Sequence, residues 1–212
     1  MNKTSSASDY RFGADKPHTN AYLSGPIIAY LKRIGAKKVL DLGCGNGALA
    51  RDLSELGMEV VGIDPSESGI ENCRKAVPAG KFYCMGIYDD PDKIVESDFD
   101  AAISTEVVEH IFYPRELPRF ARTKLKERAP LLVTTPYHGY LKNLALSLTN
   151  KWDFHHTPLW DGGHIKFWSK NTLTELLEGE GFVFQEFIGC GRFPFFWKSM
   201  LIIANKTGED AP

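Results

Sequence analysis

The stretch VLDLGCGNGALA, residues 39–50, constrains this chain more than any other. An apolar run carries Asp41 near its end. Three glycines, Gly43, Gly45 and Gly47, then precede a helix-forming segment. Glycines at a strand-to-helix turn permit a tight bend and let a ligand approach the backbone. Gly43-x-Gly45-x-x-Ala48 also fits the G/A form of a dinucleotide fingerprint. Asp64 ends the next apolar run, about twenty residues on, where an acid accepts the hydroxyls of a ribose. The two features predict an α/β unit that takes an adenosine cofactor.

Asp41 narrows the choice. A pyrophosphate at the glycine turn would meet this carboxylate, an unfavourable pairing. S-adenosylmethionine carries an ammonium and a sulfonium, which a nearby carboxylate favours.

The remaining pattern is regular. Short apolar runs at 37–43, 58–64, 81–86, 98–105, 129–136, 182–189 and 198–206 read as strands. Segments at 46–57, 66–77, 114–128 and 169–181 read as helices. Alternation of this kind predicts a Rossmann-like, doubly wound, seven-stranded and mostly parallel sheet. The last two strands share a short connection and should pair antiparallel. The 212 residues suit a single domain, 1–212. It has an N-terminal helical segment at about 10–35, broken or restarted at Gly25-Pro26, and a lid-like insertion at about 137–168.

Bulk properties exclude little. A net charge of −2 gives no general attraction to nucleic acid. Four scattered cysteines form no CxxC pair and read as reduced thiols of a cytoplasmic protein. The N-terminal stretch is polar without an apolar signal core, and no run is long enough to span a bilayer.

VLDLGCGNG followed by VVGIDPS closely resembles the class I S-adenosylmethionine-dependent methyltransferases, and the resemblance runs from Lys38 to the last strand pair. It implies that the glycine loop approaches the methionine part of the cofactor and that Asp64 holds the ribose. The implied cofactor residues are Asp41, Gly43, Cys44, Gly45, Asp64, Pro65, Ile87, Tyr88, Asp89 and Thr105. The chain departs from the family at the adenine, where the usual acidic position is Ile87 and Asp89 is the nearby substitute. Tyr10, Arg11 and Phe12 are candidates to fold over the methionine end.

The stretch STEVVEHI, residues 104–111, gathers Glu106, Glu109 and His110 where a buried strand ends. On a helical turn these would share one face. Three readings are open: solvated charges at a helix start, His110 as a general base, or a metal site completed by a distant residue. The loop WDGGHIKFW supplies His164 for the third. Glu-x-x-Glu-His with a remote His resembles two methyltransferase groups, one acting on catechol-type hydroxyls in ubiquinone synthesis and one on the 2′-hydroxyl of small RNAs. That resemblance implies a divalent ion held by Glu106, Glu109, His110 and His164; an oxygen substrate completing the sphere favours Mg²⁺ or Mn²⁺, and Glu106 and His110 are the candidate catalytic residues. A metal-independent O- or N-methyltransferase using His110 as base, a small-RNA 2′-O-methyltransferase and a non-catalytic cofactor-binding module are the alternatives.

The other histidines carry less. His155 and His156 are adjacent, so their side chains are not expected to converge on one ion. His138 follows the fifth strand and is a substrate-contact candidate; His18 reads as structural or exposed. Tyr137, Tyr140, Trp152, Phe154, Trp160, Phe167 and Trp168, with Phe193 to Trp197, predict an apolar mouth for an aromatic small-molecule acceptor. The segment 140–152 places apolar residues at helical spacing between lysines. It reads as a lid helix packed on its own domain in preference to a membrane-surface helix.

Overall fold

A computed structural model of the chain describes residues 18–208. Tyr10, Arg11 and Phe12 lie outside the described residues. The sheet is formed by β1 (Lys38–Leu42), β2 (Glu59–Asp64), β3 (Lys81–Cys84), β4 (Ala101–Thr105), β5 (Pro130–Pro136), β6 (Phe182–Cys190) and β7 (Ser199–Lys206). Their order across the sheet is β3-β2-β1-β4-β5-β7-β6. The first five strands run parallel, while β7 is antiparallel to both β5 and β6.

Side chains alternate between two apolar faces. Leu40, Leu42, Met200, Ile202 and Ala204 join one core, covered by α4 (Glu116–Lys124) and α7 (Lys170–Glu178) through Leu117, Phe120, Leu173 and Leu177. Val39, Ala101, Ile103, Leu201 and Ile203 join the other, covered by α1 (Asn20–Arg33), α2 (Ala48–Glu55) and α3 (Glu67–Ala76). A strand buried on both faces reads as a continuous apolar run, which is why these segments were legible as strands.

The chain leaves β1 toward β2 and β3, then crosses to β4 on the other side of β1. Loops after β1 and β4 therefore diverge, and the crevice outside their carboxyl ends is the expected ligand position of such a sheet.

Three local expectations differ. The first helix is continuous through Pro26. One hydrogen bond is lost there, and burial of Leu23, Ile27, Tyr30 and Leu31 along the helix holds it together. Residues 106–111 form a turn, not a helix, and Glu106 has φ +56°. The insertion divides into α5 (Tyr140–Leu148) and α6 (Trp152–His156), parted at Asn150, which has φ +52°.

The one buried residue of α5 is Lys142. Its Nζ donates to the carbonyls of Tyr137 and Lys198, at 2.8 Å and 3.4 Å. Tyr140, Leu141, Leu144 and Leu148 are exposed. A lysine, not an apolar stripe, thus anchors this helix to the sheet end. Among the described residues no helix is long and apolar enough to cross a membrane.

Candidate active site

The glycine loop after β1 is shaped by backbone dihedrals that side chains resist. Gly43, Gly45 and Gly47 have φ of +88°, +54° and +78°. Asp64 ties the loop down from the neighbouring strand: its carboxylate accepts from the N–H groups of Gly45 and Ser66, both at 2.9 Å. Asp41 is buried beneath the loop, and its Oδ1 has no hydrogen-bond partner among the described residues. Burial, with Asp64 adding to it, pushes the Asp41 carboxyl up to about 7. An orphaned, half-ionised carboxyl under a backbone cradle fits a cationic ligand group.

This loop borders a cavity of about 1050 Å³. Asp41, Gly43, Cys44, Gly45, Asp64, Pro65, Ile87, Tyr88, Asp89 and Thr105 all line it. Asp89 is already engaged, accepting from the Gly86 N–H at 2.9 Å and from Lys93 Nζ at 2.7 Å. The four cysteines are thiols, with Cys44 and Cys73 in contact at 3.7 Å.

At the end of β4 the acidic residues part company. Glu106 turns toward β5 and β7, accepting from the hydroxyls of Thr134 at 2.9 Å and Ser199 at 3.1 Å. Burial pushes its carboxyl up to about 7 against the pull of those hydroxyls and of Lys142. Glu109 is buried, and neither carboxyl oxygen has a hydrogen-bond partner among the described residues. Its pKa lies well above the usual carboxylate range, from burial first and then from Glu106. Solvated charges at a helix start do not describe either residue.

The insertion returns onto this turn. The carbonyl of Glu109 accepts from the N–H groups of Ile165 and Lys166, at 2.9 Å and 3.0 Å. That pairing sets His164 beside Glu109, Nε2 to Oε1 at 4.0 Å. His110 donates its Nδ1–H to the carbonyls of Gly162 at 2.9 Å and Gly163 at 3.2 Å. One ligand atom each from Glu109, His110 and His164 lies within 4.8 Å of the others. Glu106 is outside this cluster. Burial pushes His164 down to about 4, with His110 and His156 adding to the shift, and it lowers His110 as well. Both rings are neutral near pH 7, the form that ligates a metal.

A second histidine group lines the same cavity. His138, His155 and His156 also bring ligand atoms within 4.8 Å of one another. The adjacent pair does converge, because His138 stacks on His156 at 5.5 Å while the His155 ring stands edge-on to His156 at 4.9 Å.

The aromatic mouth is narrower than the loop composition predicts. Among the described residues, Tyr22, Tyr88 and Trp160 are its carbocyclic aromatic lining. Trp197 packs on Tyr137 and Phe187, and Tyr140, Phe154, Phe193 and Phe195 face solvent. Ser199 and Tyr22 belong to the site without a sequence signal. Ser199 arrives through its register with Pro136, and Tyr22 meets it from α1 at 3.3 Å. His18 is exposed.

Comparison with known proteins identifies the family and the fold. The family described as a methyltransferase domain matches residues 18–186. A ubiquinone biosynthesis O-methyltransferase of Bradyrhizobium diazoefficiens is 30% identical over 79% of this chain and 67% of its own. The human mitochondrial protein of that name is 29% identical over 76% of this chain and 46% of its own. The chain thus spans about two thirds of the first and under half of the second. Among solved structures, the magnesium protoporphyrin IX methyltransferase of Synechocystis with bound SAH aligns with a TM-score of 0.65 at 19% identity, over 87% of this chain and 82% of its own. The methyltransferase domain of a bacterial Hen1 aligns with a TM-score of 0.63 at 23% identity, over 86% and 96%.

Proposed function

The chain belongs to the methyltransferase-domain family and is by sequence and fold a class I S-adenosylmethionine-dependent methyltransferase; from that premise we propose that it methylates an oxygen of a small phenolic or catechol-type acceptor beside a divalent ion, Mg²⁺ or Mn²⁺. The observation that carries the reading is Glu109. A buried carboxyl without a donor costs about 1–3 kcal/mol, and two neutral imidazoles stand within ligand distance of it.

Asp41, Gly43 and Gly45 would receive the methionine end of the cofactor, Asp64 its ribose, and the Ile87–Asp89 turn its adenine. S-adenosylmethionine supplies an electrophilic methyl group on a sulfonium. Glu109, His110 and His164 would hold the ion. A divalent ion supplies Lewis-acid polarisation to an acceptor hydroxyl. One carboxylate and two imidazoles suit several divalent ions by type, and an oxygen acceptor favours Mg²⁺ or Mn²⁺. Glu106 borders the same cavity with a pKa near neutrality, the property of a residue that accepts a proton during reaction. The cavity positions both substrates, and positioning is a large part of an in-line displacement. The ubiquinone-pathway relatives support an aromatic hydroxyl as acceptor.

A second reading rests on the His110 contact. With Nδ1–H committed to two carbonyls, the neutral ring keeps its lone pair on Nε2, and His110 lines the cavity. That is the arrangement of a metal-free general base. Titration of Mn²⁺ into protein saturated with S-adenosylhomocysteine separates the two. Stoichiometric binding lost in Glu109→Ala and His164→Ala is the expected result. Turnover of a catechol that is indifferent to chelator and to both substitutions, but lost in His110→Ala, would select the base instead.

A further inference from the structure

His138 lies just past the end of β5, and His155 and His156 close the short helix α6 of the insertion. No residue of the Glu109 cluster belongs to this group. The three rings meet at centroid separations of 4.9 to 6.0 Å. Phe167 stands edge-on to His138 at 5.2 Å and to His156 at 5.0 Å, and Trp152 covers His156 at 4.2 Å. Inside this apolar shell, Nε2 of His156 is buried and has no hydrogen-bond partner among the described residues.

Aromatic packing alone would be better served by rings without nitrogen. An imidazole buried with an unpaired nitrogen loses the hydrogen bond it had in water. Three imidazoles whose ligand atoms gather within 4.8 Å offer one compensation, a shared cation. The donor set is nitrogen only. Mg²⁺ and Ca²⁺ require oxygen, so they are disfavoured; late first-row ions bind imidazole strongly. Lys142 and Arg192 are the cations that act on this group, which further disfavours a weakly held ion. Three protein ligands also leave a fourth tetrahedral position for water or a cavity ligand.

We propose that His138, His155 and His156 form a second metal site, specific for a late first-row divalent ion such as Zn²⁺, that fastens α6 of the insertion to the end of β5 at the cavity wall. The site is chemically distinct from the carboxylate-containing cluster. It also gives a structural purpose to adjacent histidines on a helix whose apolar neighbour Phe154 faces solvent.

Co²⁺ is the probe. The full chain carrying Glu109→Gln, which disables the first cluster, is titrated while visible absorption is recorded. One equivalent of Co²⁺ with the ligand-field bands of a low-coordinate nitrogen site is expected. Adding His138→Gln or His155→Gln should weaken binding by more than about 100-fold, beyond the loss that outer-shell changes produce, whereas adding His164→Gln should leave it intact. Zn²⁺ should also slow proteolysis within residues 140–160 in the parent and not in His155→Gln. The two test substitutions lie on different elements, so misfolding of one, checked by circular dichroism, leaves the other decisive. Background binding in folded Glu109→Gln protein, or binding that survives both histidine substitutions, overturns the proposal.

Discussion

The Nδ1–H of His110 is committed to the carbonyl oxygen of Gly162, 2.9 Å away and 52 residues along the chain. This contact selects the tautomer and orients Nε2, whichever role His110 plays. The two nitrogens can be tested apart. Asn reproduces a donor near Nδ1, and Gln places its amide nearer Nε2. His110→Asn should keep the turn docked, with unfolding midpoints close to the parent, yet lose about 10²–10⁴-fold in turnover. His110→Gln should lose turnover and also loosen residues 160–166, read as faster amide exchange. Equal exchange in both variants would show that the Gly162 contact does not hold the insertion.

The glycine-loop side of this cavity was legible because its signals are local. Asp41, Gly43, Gly45 and Asp64 lie next to strand ends, and backbone geometry places them at the cavity. The other half depends on long-range pairing. Glu106 and Glu109 were read as sharing one helical face. The left-handed dihedral at Glu106 makes a turn instead and sends that side chain to Thr134 and Ser199. Nothing near Ser199 in sequence announces it, since the β5–β7 register brings it there. Adjacency of His155 and His156 argues against convergence of those two side chains on one ion by themselves. His138, arriving from another element, fills the angle between them.

Metal uptake at the Glu109 cluster should release a proton. In the ligand-free protein burial holds the Glu109 carboxyl well above the usual carboxylate range and so favours its protonated form, while burial lowers His110 and His164. Binding requires the carboxylate, so affinity should rise with pH by up to about tenfold per unit until Glu109 ionises unaided. Calorimetry of Mn²⁺ binding in buffers of different protonation enthalpy measures the proton count directly. The His155→Gln background confines the reading to this cluster. An affinity that does not change with pH between about 5 and 8 would mean that Glu109 is not a ligand.

Asp41→Asn should stabilise the ligand-free protein while weakening cofactor binding. The folded pKa of about 7 stands above the ordinary 3.8. Protonated Asp41 therefore contributes stability that is complete below about pH 4 and lost as pH rises through 7. At pH 8 the parent carries a buried charge that the amide lacks. The gain in unfolding free energy should be roughly 1–3 kcal/mol larger at pH 8 than at pH 5. His138, His155 and His164, with pKa values pushed down to about 3, 4 and 4, act with the opposite sign, costing stability as pH falls below 6.5. They are present in both proteins and cancel in the difference. A pH-independent difference would place the Asp41 charge outside the stability balance.

Gly43→Ala should damage the cradle for two separable reasons. Its φ of +88° strains any side chain, and an added Cβ would stand 2.4 Å from Cγ2 of Val107. Each term is worth about 1–3 kcal/mol. Val107→Ala removes both γ-carbons that the new methyl meets, at 2.4 and 3.3 Å, and leaves the dihedral untouched. The double variant should then be no less stable than Gly43→Ala alone, although Val107→Ala by itself costs stability through a cavity. Denaturant midpoints of the four proteins give the coupling directly. Additive losses would assign the damage to the backbone alone. Cofactor affinity should stay low in the double variant, because the left-handed dihedral at position 43 still strains the alanine and distorts the loop.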